Sequence, residues 1–252
     1  MEEAIDIIWS LFTSAEPLTY KGKHFQVEGK RLQVMPHQEV PPIAIAGLTS
    51  TNSYEMCGSR GWIPLSIYYQ PTVIHDNPPF LDLRTQGEAI DLGAEKAGLD
   101  PAAARDNWRI TREVYVSDSR EQAIADIRAG MKISYDYIFK FGLASLVKRD
   151  RNMADEDITL EWMIDNIPWI IGSPEECVRQ IHEIREDVGE FGCLLINQRD
   201  WVTSDRWKRS IELFARQVAP HFSRRERIPD RRQLAEDAWR GNAKVYGVKN
   251  AA

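Results

Sequence analysis

Cysteine is scarce: Cys57, Cys177 and Cys193 are three in 252 residues, widely spaced and odd in number, which excludes a disulfide framework or a CxxC metal site. No apolar run approaches the thickness of a bilayer. The opening MEEAIDIIWSLF carries two acids where a secretory signal carries basic residues, so the chain reads as cytoplasmic and free of the membrane. A basic excess is missing as well. The formal net charge is -6, which supplies no phosphate-neutralising footprint and argues against a nucleic-acid partner. His24, His37, His75, His182 and His221 show no metal-ligand spacing, and no metal site is expected. A Gly-x-Ser-x-Gly nucleophile elbow, a Walker loop and a GxGxxG fingerprint are all absent, which removes the usual support for hydrolase and nucleotide-hydrolysing readings.

What is present alternates. Ile5, Ile8, Trp9 and Phe12 lie at helical spacing behind an acidic first turn, predicting an amphipathic helix. Residues 18–36 read as a short extended excursion. IAIAG is a continuous apolar run of the kind found in strands buried on both faces, and TSTNSYEMCGSRG then offers N-cap residues and a short helix before a second strand in WIPLS. A helix ending near Gly98, a third strand in ITREVYV and a long helix from SREQA follow. Residues 142–168 are polar and mixed, and read as an insertion with short helical pieces. In GSPEECVRQIHEIREDVG, Ser173, Pro174 and Glu176 combine a capping box with proline at the first helical position. CLLIN is a short buried strand, and an amphipathic helix closes the regular part. This alternation favours a parallel α/β architecture, closed or open. The domain reading is 1–222 as one unit, with 223–252 as a charged extension.

Two groups of residues stand where chemistry could happen. Gly47, Thr49, Ser50 and Ser53 lie between a buried strand and a helix start, where backbone N–H groups and hydroxyls can cap the helix or receive an anion. Ser66, Tyr68 and Tyr69 follow the second strand, and Asn197, Gln198, Arg199 and Trp201 stand at the end of the last. They can wall a pocket, or pack beneath and cap loops. No catalytic residue is assigned.

The order of TYKGKHFQV, PPIAIAGLTSTNSYEMCGSRGWIPLS, RITREVYVSDSREQA and IIGSPEECVRQIHEIREDVGEFGCLLINQ resembles the bacterial-luciferase-like flavin monooxygenases, and within them the branch containing limonene monooxygenase. The resemblance implies a (β/α)8 TIM barrel with its site at the C-terminal ends of the strands. On that mapping the four strands look like the fifth to eighth, so the chain is expected to be the C-terminal part of the barrel only, beginning partway through it. The same resemblance places Gly47, Thr49, Ser50 and Ser53 at the flavin phosphate and Ser66, Tyr68, Tyr69 and Gln198 at the substrate pocket. It implies an enzyme using reduced FMN from a separate flavin reductase, with O2, to oxygenate a small apolar organic substrate; a homo-oligomer is compatible with it. The alternatives are a deazaflavin-dependent hydride-transfer enzyme, or a non-catalytic truncated fragment.

Overall fold

The computed structural model describes residues 1–38, 41–67, 81–148, 150 and 152–222. The chain divides into two compact units. One includes Met1–Ile43 and the other is Ala44–Ile228. The extension expected over 223–252 lies outside the described residues.

In the first unit, helix α1 (Glu2–Thr13) buries Ile7 and Trp9. The following extended segment is an antiparallel hairpin of β1 (Leu18–Lys21) and β2 (Gln26–Lys30), in register at Tyr20↔Val27 and Lys21↔Gln26. The Glu3 carboxylate reaches the turn between them and accepts the backbone N–H groups of Lys23 (2.8 Å), His24 (2.8 Å) and Phe25 (3.2 Å). Hydrogen bonds to the charged form, that from His24 foremost, hold the Glu3 carboxyl below the usual glutamate range. A lowered carboxylate pKa stabilises the fold above the group's ordinary value, and that stabilisation is lost as pH falls through the folded value. The turn amides of residues 23–25 are therefore expected to shift with a midpoint below that of an unstructured glutamate in an NMR pH titration. A Glu3→Gln substitution should abolish that titration; an ordinary midpoint would show that the carboxylate does not hold the turn.

The second unit is built on a parallel sheet. Strands β3 (Ala44–Gly47), β4 (Ile63–Ser66), β5 (Arg109–Val116) and β7 (Cys193–Asn197) pair side by side, with Ala46↔Leu65, Leu65↔Arg109 and Arg109↔Cys193 in one row. The upper half of β5 also pairs in parallel with β6 (Ile170–Gly172), at Val114↔Ile170 and Val116↔Gly172. The expectation of a segment confined to four strands is corrected here. Five parallel strands form the sheet, and an antiparallel hairpin precedes them. The fifth strand has only three residues, too few for a periodic pattern, and its place in the sheet is fixed by pairing to the far end of an eight-residue neighbour.

Register sorts the strand side chains by face. Ile45, Ser66, Ile110, Val114, Leu194 and Ile196 point to the face packed by helices. These helices are α2 (Thr51–Arg60), α3 (Leu83–Lys96) and α7 (Pro174–Val188), which contribute Tyr54, Ile90, Ala94, Cys177, Ile181 and Ile184 to one apolar cluster. The opposite face carries Ala44, Ala46, Leu65, Thr111 and Leu195, all at least partly exposed. At its upper end Tyr115 is covered by a second cluster. Ile127 and Met131 of α5 (Arg120–Lys140), Trp207 of α8 (Ser204–Leu213), Trp169 and Trp201 form it. The mixed stretch contains short 3-10 turns and α6 (Leu160–Asn166), whose Met163 joins the same cluster.

Helices α2 and α3 approach closely because each offers a glycine. A Cβ on Gly58 would collide with the Ile90 carbonyl oxygen, and one on Gly93 with the Glu55 carbonyl oxygen. On the other side of α3, Arg105 of α4 (Pro101–Asp106) forks onto Asp91 through Nε and Nη2, both at 2.7 Å, and donates Nη1 to the Val188 carbonyl at 2.7 Å.

Candidate functional site

The ends of β3 and β4 and the start of α2 form one local structure. Strand β3, buried on one face, delivers the chain to Gly47, and the chain then turns into α2 with Ser50 as N-cap, its Oγ accepting the Asn52 N–H at 3.3 Å. Glycine is required at 47 because a Cβ there would press on the Tyr54 ring. The Tyr54 hydroxyl in turn donates to the Gly47 carbonyl (2.7 Å) and reaches the Leu65 carbonyl (3.4 Å), so α2 is clasped to the ends of both strands. Around this helix start Thr49 and Ser50 are exposed and Ser53 is half-buried.

The first turn of α2 contains no acidic residue, as in α3 and α4, but those two are capped by Asp82 and Asp100 whereas the α2 cap, Ser50, is neutral; α1, α5, α7 and α8 carry acids in the first turn. The positive end of the α2 dipole is thus uncompensated by its own first turn, and three hydroxyl side chains surround it. Such a donor set fits a phosphate: small side chains, hydroxyl donors and helix N–H groups at the C-terminal edge of a parallel sheet. All four residues expected at the flavin phosphate are therefore brought together.

Of the residues expected at the substrate pocket, Ser66 and Gln198 are among the described residues. Ser66 points to the helix-packed face, completely buried; its hydroxyl donates to Gln86 Oε1 (2.5 Å) and accepts from Trp108 Nε1 (2.7 Å). Gln198 is exposed just beyond β7. Tyr68 and Tyr69 lie outside the described residues.

Asn197 and Arg199, noted at the end of the last strand, meet a partner that sequence reasoning missed, Glu113 in the middle of β5. Glu113, 1% exposed, pairs in register with Asn197. Its Oε1 accepts from Arg199 Nε at 3.0 Å and from Asn197 Nδ2 at 3.4 Å. Burial pushes the Glu113 carboxyl above the usual range, and the Arg199 guanidinium opposes that shift. Arg199 is fixed at its backbone too, where Trp207 Nε1 donates to its carbonyl at 2.6 Å. Eighty-six residues separate the two charges, a distance at which no spacing rule operates.

Neither of the two buried cysteines suits a nucleophile. Burial pushes both the Cys57 and the Cys177 thiols up to about 12, where the thiolate is not populated at neutral pH. Among the described residues, no helix is long and apolar enough to cross a membrane.

Known proteins show which family the chain resembles. The chain is 34% identical over 224 residues to 4-hydroxyprotoasukamycin monooxygenase of Streptomyces nodosus subsp. asukaensis, covering 88% of this chain and 58% of that one. It is 29% identical to limonene 1,2-monooxygenase of Rhodococcus erythropolis, covering 88% of this chain and 54% of that one. Among solved structures, the oxygenating constituent of 3,6-diketocamphane monooxygenase from Pseudomonas putida, a type II Baeyer–Villiger monooxygenase in complex with FMN, superposes with a TM-score of 0.63 at 25% identity. That match covers 87% of this chain and 62% of the other. The chain thus spans a little over half the length of the curated relatives it matches. The expectation of a likeness limited to a C-terminal part is overturned by the extent of the family match, which starts at residue 1 and takes in α1, the hairpin and the sheet through α7. The model of the luciferase-like monooxygenases matches residues 1–190, and the chain belongs to that family.

Proposed function

We propose that this chain binds FMN by its phosphate at the N-terminus of α2 and serves a flavin-dependent monooxygenase reaction on a small, largely apolar organic substrate. The observation that carries the reading is the α2 start itself, with Gly47, Thr49, Ser50 and Ser53 gathered around a helix dipole that no acid in the first turn offsets. Reduced FMN, delivered by a separate reductase, supplies the oxygenating chemistry with O2 when bound. The chain's own residues hold the phosphate and offer the partly exposed face of Ala44, Ala46, Leu65 and Leu195 as an apolar wall against water. Gln198 stands at the rim of that wall. The monooxygenases among the relatives support this reading over hydride transfer. A cytoplasmic location and a homo-oligomer belong to the same proposal.

Replacing Ser50 and Ser53 together by alanine is expected to weaken FMN binding roughly 10- to several-hundred-fold, the equivalent of one or two charge-assisted hydrogen bonds. Riboflavin, without the phosphate, should bind both proteins alike. Calorimetric titration of both flavins decides the matter: unchanged FMN affinity, or an equal loss for riboflavin, removes the phosphate from this helix.

A further inference from the structure

Gln86 is a polar side chain in an apolar setting. It is completely buried on α3, whose Leu83, Ala89, Ile90 and Ala94 belong to the core cluster. Burying a primary amide costs free energy unless both of its ends are bonded, and here both are. Its Oε1 accepts the Ser66 hydroxyl at 2.5 Å, and its Nε2 donates to the Leu81 carbonyl at 2.8 Å. Ser66 is fixed in turn by Trp108 Nε1 at 2.7 Å, and it stands in register with Gly47 where β4 and β3 end. Leu81, just ahead of α3, donates its own N–H to the Leu48 carbonyl at 3.3 Å. Leu48 leads directly to Thr49 and Ser50. A run of hydrogen bonds therefore passes from the buried Trp108, through Ser66, Gln86 and Leu81, to the segment that opens α2.

We propose that Gln86 is a positioning residue for the phosphate cradle, setting the path of residues 48–50 through Leu81 without touching the phosphate itself. The inference rests on the proposed binding of FMN by its phosphate at α2. The choice of glutamine follows from its chemistry. One rigid amide carries an acceptor and a donor, so a single side chain joins the end of a strand to the chain entering a helix. Glutamate has no N–H for the Leu81 carbonyl, and methionine fills a similar space with neither group. The cradle is thereby held from two sides. Tyr54 of α2 bonds the Gly47 carbonyl at 2.7 Å, and Gln86 of α3 acts on Leu48 by way of Leu81. Ser66, expected at a pocket wall, serves the cradle from the helix-packed face instead. Donors aimed in advance lose less freedom when the anion arrives, so loosening residues 48–50 costs affinity for the phosphate and leaves contacts to the rest of the ligand as they were.

Gln86→Met removes both bonds of the link, and two measurements read the result. The first is the ratio of FMN to riboflavin affinity by calorimetric titration, which should fall roughly 3- to 10-fold, the equivalent of about one neutral hydrogen bond, while riboflavin binds as before. Lost packing alone would weaken both flavins equally. The second is amide hydrogen exchange in the flavin-free protein. The Leu81 N–H should lose protection by a similar factor, whereas the β5 amides paired with β7 keep theirs. Ser66→Ala, which spares the bond from Gln86 to Leu81, should produce both changes at roughly 2- to 3-fold, and it decides the matter where Gln86→Met does not fold. Unchanged Leu81 protection, protection lost equally across the sheet, or an unchanged flavin ratio in a protein whose wild type prefers FMN each overturns the role of Gln86. A wild-type protein with no preference for FMN over riboflavin sinks the phosphate reading instead, and Leu81 exchange then still decides whether Gln86 holds this segment.

Discussion

Gly58→Val is expected to destabilise the protein by at least about 3 kcal/mol, visible as a large fall in the urea midpoint. The cause is backbone against backbone. The added carbons would occupy the place of the Ile90 carbonyl oxygen, which belongs to a helix interior and cannot rotate aside as a flexible side chain could. Relief requires α2 and α3 to separate, and Gly93, which rests on the Glu55 carbonyl, would lose its own contact in the process. Tyr54, Ile90 and Ala94 share one cluster, so separation also opens gaps in the core. Gly98→Ala serves as the control: it has positive φ but nothing within 4 Å of the new Cβ, and should cost only about 1 kcal/mol. Comparable small losses in both variants would mean that the two helices part easily and that their close approach is incidental.

Arg199→Met is expected to cost about 2–4 kcal/mol at neutral pH, below the upper end for a broken buried pair because Arg199 retains some contact with water. The variant leaves the Glu113 charge buried with the Asn197 amide 3.4 Å away. Its distinguishing feature is pH dependence. Burial already raises the Glu113 pKa, and the guanidinium restrains that rise, so removing Arg199 lets it rise further. With a carboxyl raised in the folded state, stability is fully present below the ordinary glutamate value and is lost as pH climbs through the folded value. The gap between wild type and variant should therefore be small near pH 4 and widen toward pH 7 in denaturant titrations. A constant gap would indicate lost side-chain packing rather than an unpaired charge.

What could be read from the chain follows the range of the interactions. IAIAG, ITREVYV and CLLIN stand in the sheet as the parallel strands β3, β5 and β7, but the burial on both faces expected of IAIAG does not hold: Ala44 and Ala46 are exposed, because helices pack only the other face there. The start of α7 was legible because its interactions are local. Ser173 Oγ accepts the Glu176 N–H at 3.3 Å, and Glu176 Oε2 accepts the Ser173 N–H at 2.9 Å, three residues apart. Ile170–Gly172 was hidden immediately before that signal, a strand too short to carry a pattern. The extent of the family likeness is misjudged for a different reason, since it comes from matching four apolar strands to the fifth to eighth of a barrel, although the hairpin segment TYKGKHFQV already carries part of the resemblance. Ser66 was placed at the pocket on the logic of strand ends, but register turns it to the helices, where Gln86 and Trp108 hold it. Asn197 and Arg199 are visible at the end of the last strand, whereas their partner Glu113 is marked only by its place beside Arg112 in the middle of a strand, a conflict with the apolar pattern.

The clasp of Tyr54 on Gly47 and Leu65 also bears on the heat and timing of ligand capture. Because the strand ends and α2 are already joined through a phenol hydroxyl, the proposed anion cradle would be in place before any anion arrives. Capture of a phosphate there should then proceed in one step whose rate rises in proportion to concentration, without a slow second phase. Its heat-capacity change should likewise be slight, since little apolar surface is left to bury.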